Sequence, residues 1–199
     1  MVKKNGWLVL ILFLLTGCTI FSPVKTEKID TYTLTATPAP ISKKPPREIT
    51  IMVAQPESNP IYNTTEMAYS TKPFEVAYFA KSNWVQPPVM MLQPLIIKTL
   101  QNTHYFDAVL SGLSSASYNY ILNTQLLKLQ QEFTAHSSWI ALNVRAQIID
   151  VSENKIVATK NFSVTERVSV HTPYGGVMAA NRAVSKMLNQ LANFCLELE

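Results

Sequence analysis

The sequence predicts an α+β fold, a two-layer α/β sandwich with a mainly antiparallel sheet and two amphipathic helices on one face. Three observations lead there. Long stretches alternate apolar and polar residues at period two, above all between 118 and 170; two other stretches carry apolar residues at helical spacing; and the order along the chain is strands, helix, strands, helix. Composition agrees: 199 residues with 47% hydrophobic and 15% charged side chains hold enough apolar material for one sizeable core.

The chain opens with Lys3 and Lys4 and then an unbroken apolar run of nine residues, Trp7 to Leu15. Spanning a bilayer takes about 20 residues, so this run suits a signal peptide over residues 1–17. It ends in Leu15-Thr16-Gly17-Cys18, which resembles a bacterial lipobox. In that motif the cysteine thiol takes a diacylglycerol, cleavage leaves Cys18 as the new N-terminus, and an N-acyl chain completes the anchor. The competing readings are an ordinary secretory signal with a chance cysteine, or an uncleaved anchor. Thr19 follows the cysteine. Aspartate there would resemble the inner-membrane retention signal, so threonine points to the periplasmic face of the outer membrane. Loss of the two lysines lowers the net charge from +4 to +2, a dispersed excess that is no footprint for nucleic acid. With Cys18 acylated, Cys195 has no partner for a disulfide.

Residues 18–47 carry Pro23, Pro38, Pro40, Pro45 and Pro46 without sustained periodicity, the composition of an extended, solvated tether. Thr31-Tyr32-Thr33-Leu34-Thr35 interrupts it as an early strand near 31–36. The remaining residues, 48–199, form the domain. Ile49 to Ala54, closed by Gln55-Pro56, reads as a strand. Glu66 to Tyr69 and Phe74 to Phe79 read as a hairpin around Ser70-Thr71-Lys72-Pro73. Pro87-Pro88 opens a helix to about Thr103, with Met91, Leu92, Leu95, Ile96, Thr99 and Leu100 on one stripe. Pro94 then belongs in its first turn or at a kink.

Phe106 to Leu110 is a brief strand. Tyr118 to Leu126 alternates as a half-buried strand, as does Ile140 to Ile148. Ser152 to Lys155 turns the chain and Ile156 to Val170 returns, a long antiparallel hairpin. Thr172-Pro173 supplies an N-cap and a first-turn proline for the last helix. Val177, Ala180, Val184, Leu188, Leu191 and Cys195 form its apolar stripe, with Cys195 a small buried hydrophobe.

These residues carry a resemblance. The lipobox Cys18, Tyr32-Thr33-Leu34 after a short tether, the strand ending in Gln55-Pro56, and Tyr78-Phe79-Ala80 before Asn83-Trp84-Val85 resemble the ABC-type transport auxiliary lipoproteins, the PqiC (YmbA-like) group. Pro88, its helix, and His104-Tyr105-Phe106-Asp107-Ala108-Val109 continue the match. The resemblance implies an auxiliary or adaptor subunit of an ABC/Mce-type system that moves lipids or other hydrophobic substrates across the envelope. It implies an ABC ATPase and permease and an Mce-type periplasmic protein as partners. A ring-like partner would make a homo-oligomer natural.

Catalytic signatures fail on inspection. Five scattered glycines include no phosphate loop, and Gly175-Gly176 reads as a flexible entry turn in preference to an anion cradle. His104, His136 and His171 lack partners at ligand spacing, so no metal or other cofactor is expected beyond the lipid on Cys18. Ser111 to Ser115 lacks a nucleophile elbow, and His136-Ser137-Ser138 reads as a turn. The chain is therefore read as no enzyme. Trp84 and Trp139 are the candidate partner or pocket surface, with core packing as the competing role. The cluster Tyr62, Tyr69, Phe74, Tyr78 and Phe79 either lines an apolar groove or joins the core. An alternative function is a lipid-binding carrier, which requires an apolar cavity of at least about 300 Å³ between helices and sheet.

Overall fold

A computed structural model describes residues 28–38, 44–112 and 116–198. The leader, Cys18 and the start of the tether lie outside the described residues, as do Leu113 to Ser115. Among the described residues, nine strands and two α-helices make an α+β fold. The strands are β1 (Asp30–Tyr32), β2 (Arg47–Val53), β3 (Glu57–Ser58), β4 (Glu66–Ser70), β5 (Ala77–Trp84), β6 (Phe106–Ser111), β7 (Tyr120–Phe133), β8 (Ser138–Asp150) and β9 (Lys155–Arg167). The helices are α1 (Pro88–Gln101) and α2 (Pro173–Cys195).

The α+β class holds, but the expected mainly antiparallel sheet does not. The sheet is mixed and curled around β7. One edge of β7 pairs antiparallel with β8 along its whole length, and β8 pairs antiparallel with β9. Its other edge is shared in succession by β2, β3 and β4, all parallel to it. Beyond these, β6 lies parallel to β2, while β5 lies antiparallel to β4 and carries β1 in parallel. Alternation reports which face of a strand is wet, not the direction of its neighbour. The long connections, including the one that holds α1, return the chain in the same sense, as parallel pairing requires.

Local chemistry explains the element ends. Thr172 accepts the Gly175 N–H through Oγ1 at 3.1 Å, and Pro173 occupies the first helical position of α2. Asn154 turns the β8–β9 hairpin with φ 49°, a left-handed conformation that asparagine tolerates. His104 holds φ 53° just beyond α1, a position where glycine is usual. Pro94 lies neither in the first turn nor at the end of α1 but in its interior. Pro94 and Met90 are both exposed, so the carbonyl left without its helical partner sits on the wet side.

One core joins the inward residues of the strands to both helices: Ile51, Leu92, Ile96, Leu122, Leu142, Met187, Leu188 and Leu191 are essentially inaccessible. Cys195 is fully buried there, and burial pushes its thiol up to about 12, which keeps it protonated and inert.

The segment after β1 differs from the expected solvated tether and from a strand reaching residue 36. Pairing stops at Tyr32, and residues 33–37 dock on the helices. Leu34 and Ala36 are buried. Asn181 on α2 accepts the Thr35 N–H at 2.7 Å and donates to the Thr33 carbonyl at 3.3 Å, while Ser185 donates to the Thr37 carbonyl at 2.8 Å. The folded unit therefore includes residues well before 48.

Gly175 and Gly176 form no flexible turn and no anion cradle. Both are buried in the first turn of α2, where a Cβ on Gly175 would meet the Val170 carbonyl oxygen at 1.9 Å and one on Gly176 would meet Gln131 Oε1 at 2.3 Å. They are glycines because the backbone and β7 approach that closely.

Candidate functional site

A β-bulge helps build an open concave surface. Even-numbered residues of β7 face the core through Leu126; Leu127 is then skipped in the pairing with β8, and Leu129 and Gln131 become the inward residues. Lys128, Gln130 and Glu132 are thereby turned to the opposite face, where Tyr62 covers Gln130, which is what a bulge does to the side chains beyond it. Trp139, level with Glu132 on β8, shares that face. Together with the β4–β5 loop they line an open groove of about 660 Å³.

The groove walls are held firmly. Tyr62 donates from its hydroxyl to Gln130 Oε1 at 2.7 Å, and burial, then the Glu132 charge, pushes its phenol up to about 12. Lys128 pairs with Glu132. Arg167 lies over the Trp139 ring at 5.9 Å. In the loop, Glu75 accepts from Thr71 Oγ1 at 2.6 Å and pairs with Lys72 at 3.6 Å; the Thr71 hydrogen bonds chiefly hold its carboxyl below the usual range. Phe74 tops the loop, fully exposed, with φ 65°. For a bulky residue that backbone costs on the order of 1–2 kcal/mol, and an exposed ring gains nothing to offset it. The lining offers aromatic faces and paired charges.

The structure separates the expected site residues. Trp84 sits in the core at 5% exposed, while Trp139 is half-buried and lines the groove. The aromatic cluster divides too. Tyr62 is buried at the groove floor; Tyr69 and Phe79 pack at 4.5 Å between ring centres and against Phe133; Tyr78 and Phe74 face solvent. Sequence reasoning missed Lys128, Glu132 and Phe133 as lining residues. The broken alternation at Leu126-Leu127 was the signal for them. Among the described residues no group of three or more His, Cys, Asp or Glu stands close enough to hold a metal, and no helix is long and apolar enough to cross a membrane.

A second charged cluster is structural. Glu166, on β9, is nearly buried and pairs with Lys186 and with Arg182 Nε at 3.3 Å. Burial pushes its carboxyl up, but the hydrogen bonds and charges of Lys186 and Arg182 outweigh that and hold it below the ordinary value of 4.5. A depressed folded pKa adds stability above the unfolded pKa, lost as pH falls through the folded one. Glu166→Gln should therefore cost up to about 1 kcal/mol at neutral pH, since both cations are half exposed and screened. The cost should fade in urea titrations as pH falls below the ordinary 4.5 and through the depressed folded pKa. A penalty that persisted there would assign Glu166 a packing role instead.

A profile of the ABC-type transport auxiliary lipoprotein component matches residues 32–192. The chain belongs to that family. The match begins at Tyr32, on β1, which agrees with a folded unit that includes the docked segment. Among solved structures, protein XCC0632 from Xanthomonas campestris, of the DUF330 family, is similar at a TM-score of 0.76 and 18% identity, covering 83% of this chain and 94% of that one. An uncharacterized protein follows at a TM-score of 0.65 and 12% identity, covering 85% and 99%. The PelC dodecamer from Paraburkholderia phytofirmans is more distant, at 0.43 and 14%, covering 74% and 93%. These likenesses concern the fold. No curated protein sequence matches this chain. As a transport auxiliary lipoprotein, the chain belongs to the membrane-anchored envelope proteins associated with ABC transport systems.

Proposed function

We propose that this auxiliary lipoprotein is held at the periplasmic face of the outer membrane by diacylglycerol and an N-acyl chain on Cys18. It acts there as a non-enzymatic adaptor for an ABC permease and ATPase that work with an Mce-type periplasmic protein on lipids or other hydrophobic substrates. The observation that supports an adaptor over a carrier is the filled interface between helices and sheet, where Ile51, Leu92, Ile96, Leu122, Leu142 and Leu188 are at most 2% exposed. The roomy groove lies instead on the outer surface, between the β4–β5 loop and the ends of β7 and β8. Lipid confinement raises the effective concentration of that surface, so a modest interface suffices.

Cys18→Ala is the direct test. The variant should lose acylation, seen as loss of the lipid mass, and should leave the outer-membrane fraction. Unaltered fractionation would refute the anchor. Native mass spectrometry after gentle extraction should find the wild type with other subunits; a retained free lipid would revive the carrier.

A further inference from the structure

The direction of β1 shows where the tether enters. β1 runs parallel to β5, with Asp30 level with Ser82, and β5 begins at the β4–β5 loop. Following the chain backwards from Asp30 through Ile29 and Lys28 therefore leads toward that loop. From the level of Lys28 to Phe74 is about 20 Å at ~3.3 Å per residue. Cys18 precedes Lys28 by ten residues, at most about 35 Å of extended chain. The acylated cysteine and Phe74 can thus reach one membrane plane.

The same end gathers exposed apolar side chains. Phe74, Val76, Tyr78 and Ile61 are all exposed, and the Tyr78 hydroxyl donates to the Ile61 carbonyl at 3.0 Å, fixing those two side by side. The nearby carboxylates are each paired: Glu75 with Lys72, Glu132 with Lys128. Arg167 over Trp139 adds a single positive charge, so an apolar wedge, more than attraction to anionic lipid, supplies the contact. The left-handed backbone at Phe74 holds the ring out of the fold, fully exposed among the described residues.

We propose that the Thr71–Val76 loop is a second membrane contact, with Phe74 seated in the headgroup–acyl boundary of the leaflet that holds the Cys18 lipid. The proposal rests on the Cys18 anchor. Two attachment points, lipid and loop, fix the orientation of the domain and leave the mouth of the groove close to the membrane surface.

The test uses the full acylated chain with Phe74→Trp in vesicles of phosphatidylethanolamine and phosphatidylglycerol, with and without brominated acyl chains. The processed wild type carries Trp84 and Trp139. The variant's added emission should fall by about half in brominated vesicles, while the wild type changes little. Equal quenching of both chains, on protein that floats with the vesicles, overturns the loop contact and leaves the anchor standing. A blue-shifted Phe74→Trp emission in detergent and vesicles alike, without bromine quenching, overturns it in favour of a protein partner or second copy. Strong quenching of the wild type itself, with a mass that retains residues 1–17, would report Trp7 in the bilayer. The Cys18 anchor and the loop contact would then fall together.

Discussion

Trp84→Ala is expected to lose about 3–5 kcal/mol of stability, the range for removing a large aromatic from a core. Trp84 ends β5 at the junction of three segments. Its backbone N–H donates to the Thr65 carbonyl at 2.7 Å, Tyr32 of β1 lies opposite in register, and its side chain joins the common core. A domain of this size is stable by about 5–15 kcal/mol, so the variant would keep only part of that margin. Its melting temperature should drop by roughly 10 °C, at about 2–4 °C per kcal/mol. Urea unfolding followed by circular dichroism reads the loss directly. Trp84→Phe, which refills most of the volume, should recover a large share of it. A Trp84→Ala protein as stable as the wild type would remove that side chain from the core.

Gly175→Ala should be nearly as damaging, by about 3 kcal/mol, although alanine is the better helix former by about 1 kcal/mol. The reason is steric. The new methyl would sit 1.9 Å from the Val170 carbonyl oxygen and 2.9 Å from its carbon, backbone atoms that move only with the turn that caps α2. Gly176→Ala meets Gln131 Oε1 at 2.3 Å, the far end of a side chain, so it should cost less, about 1–2 kcal/mol. Gln131 is itself buried and donates to Ser138 Oγ at 3.1 Å, which limits its retreat. Thermal melts of the two variants should rank Gly175→Ala below Gly176→Ala. The reverse order would mean that the Val170 turn yields more easily than the β7 side chain.

Elements with their own periodicity were legible. The Thr172-Pro173 start of α2 and the β8–β9 hairpin appear at nearly the expected residues, because caps, turns and alternation are local chemistry. Trp139 and Trp84 read alike in the sequence, yet one lines a groove and the other fills the core. Phe74 and Tyr62 read alike too, as two members of one aromatic cluster. An apolar side chain advertises its desire for burial, not its address. The early strand and tether show the same limit: Thr33 to Thr37 have strand-like alternation, but Asn181 and Ser185, nearly 150 residues away, capture their backbone first.

By itself, then, the order of residues determined the helices, the long hairpin, the family likeness and the expectation of a lipid at Cys18. The tertiary structure alone decided that the sheet is mixed, that Leu127 bulges to turn Lys128 and Glu132 to the opposite face, and that β1 runs parallel to β5, starting on the side of the Phe74 loop. The physical reason is range. Periodicity, caps and turns act within a few residues, whereas strand direction, register slips and the end from which a terminus leaves depend on which distant segments close upon one another.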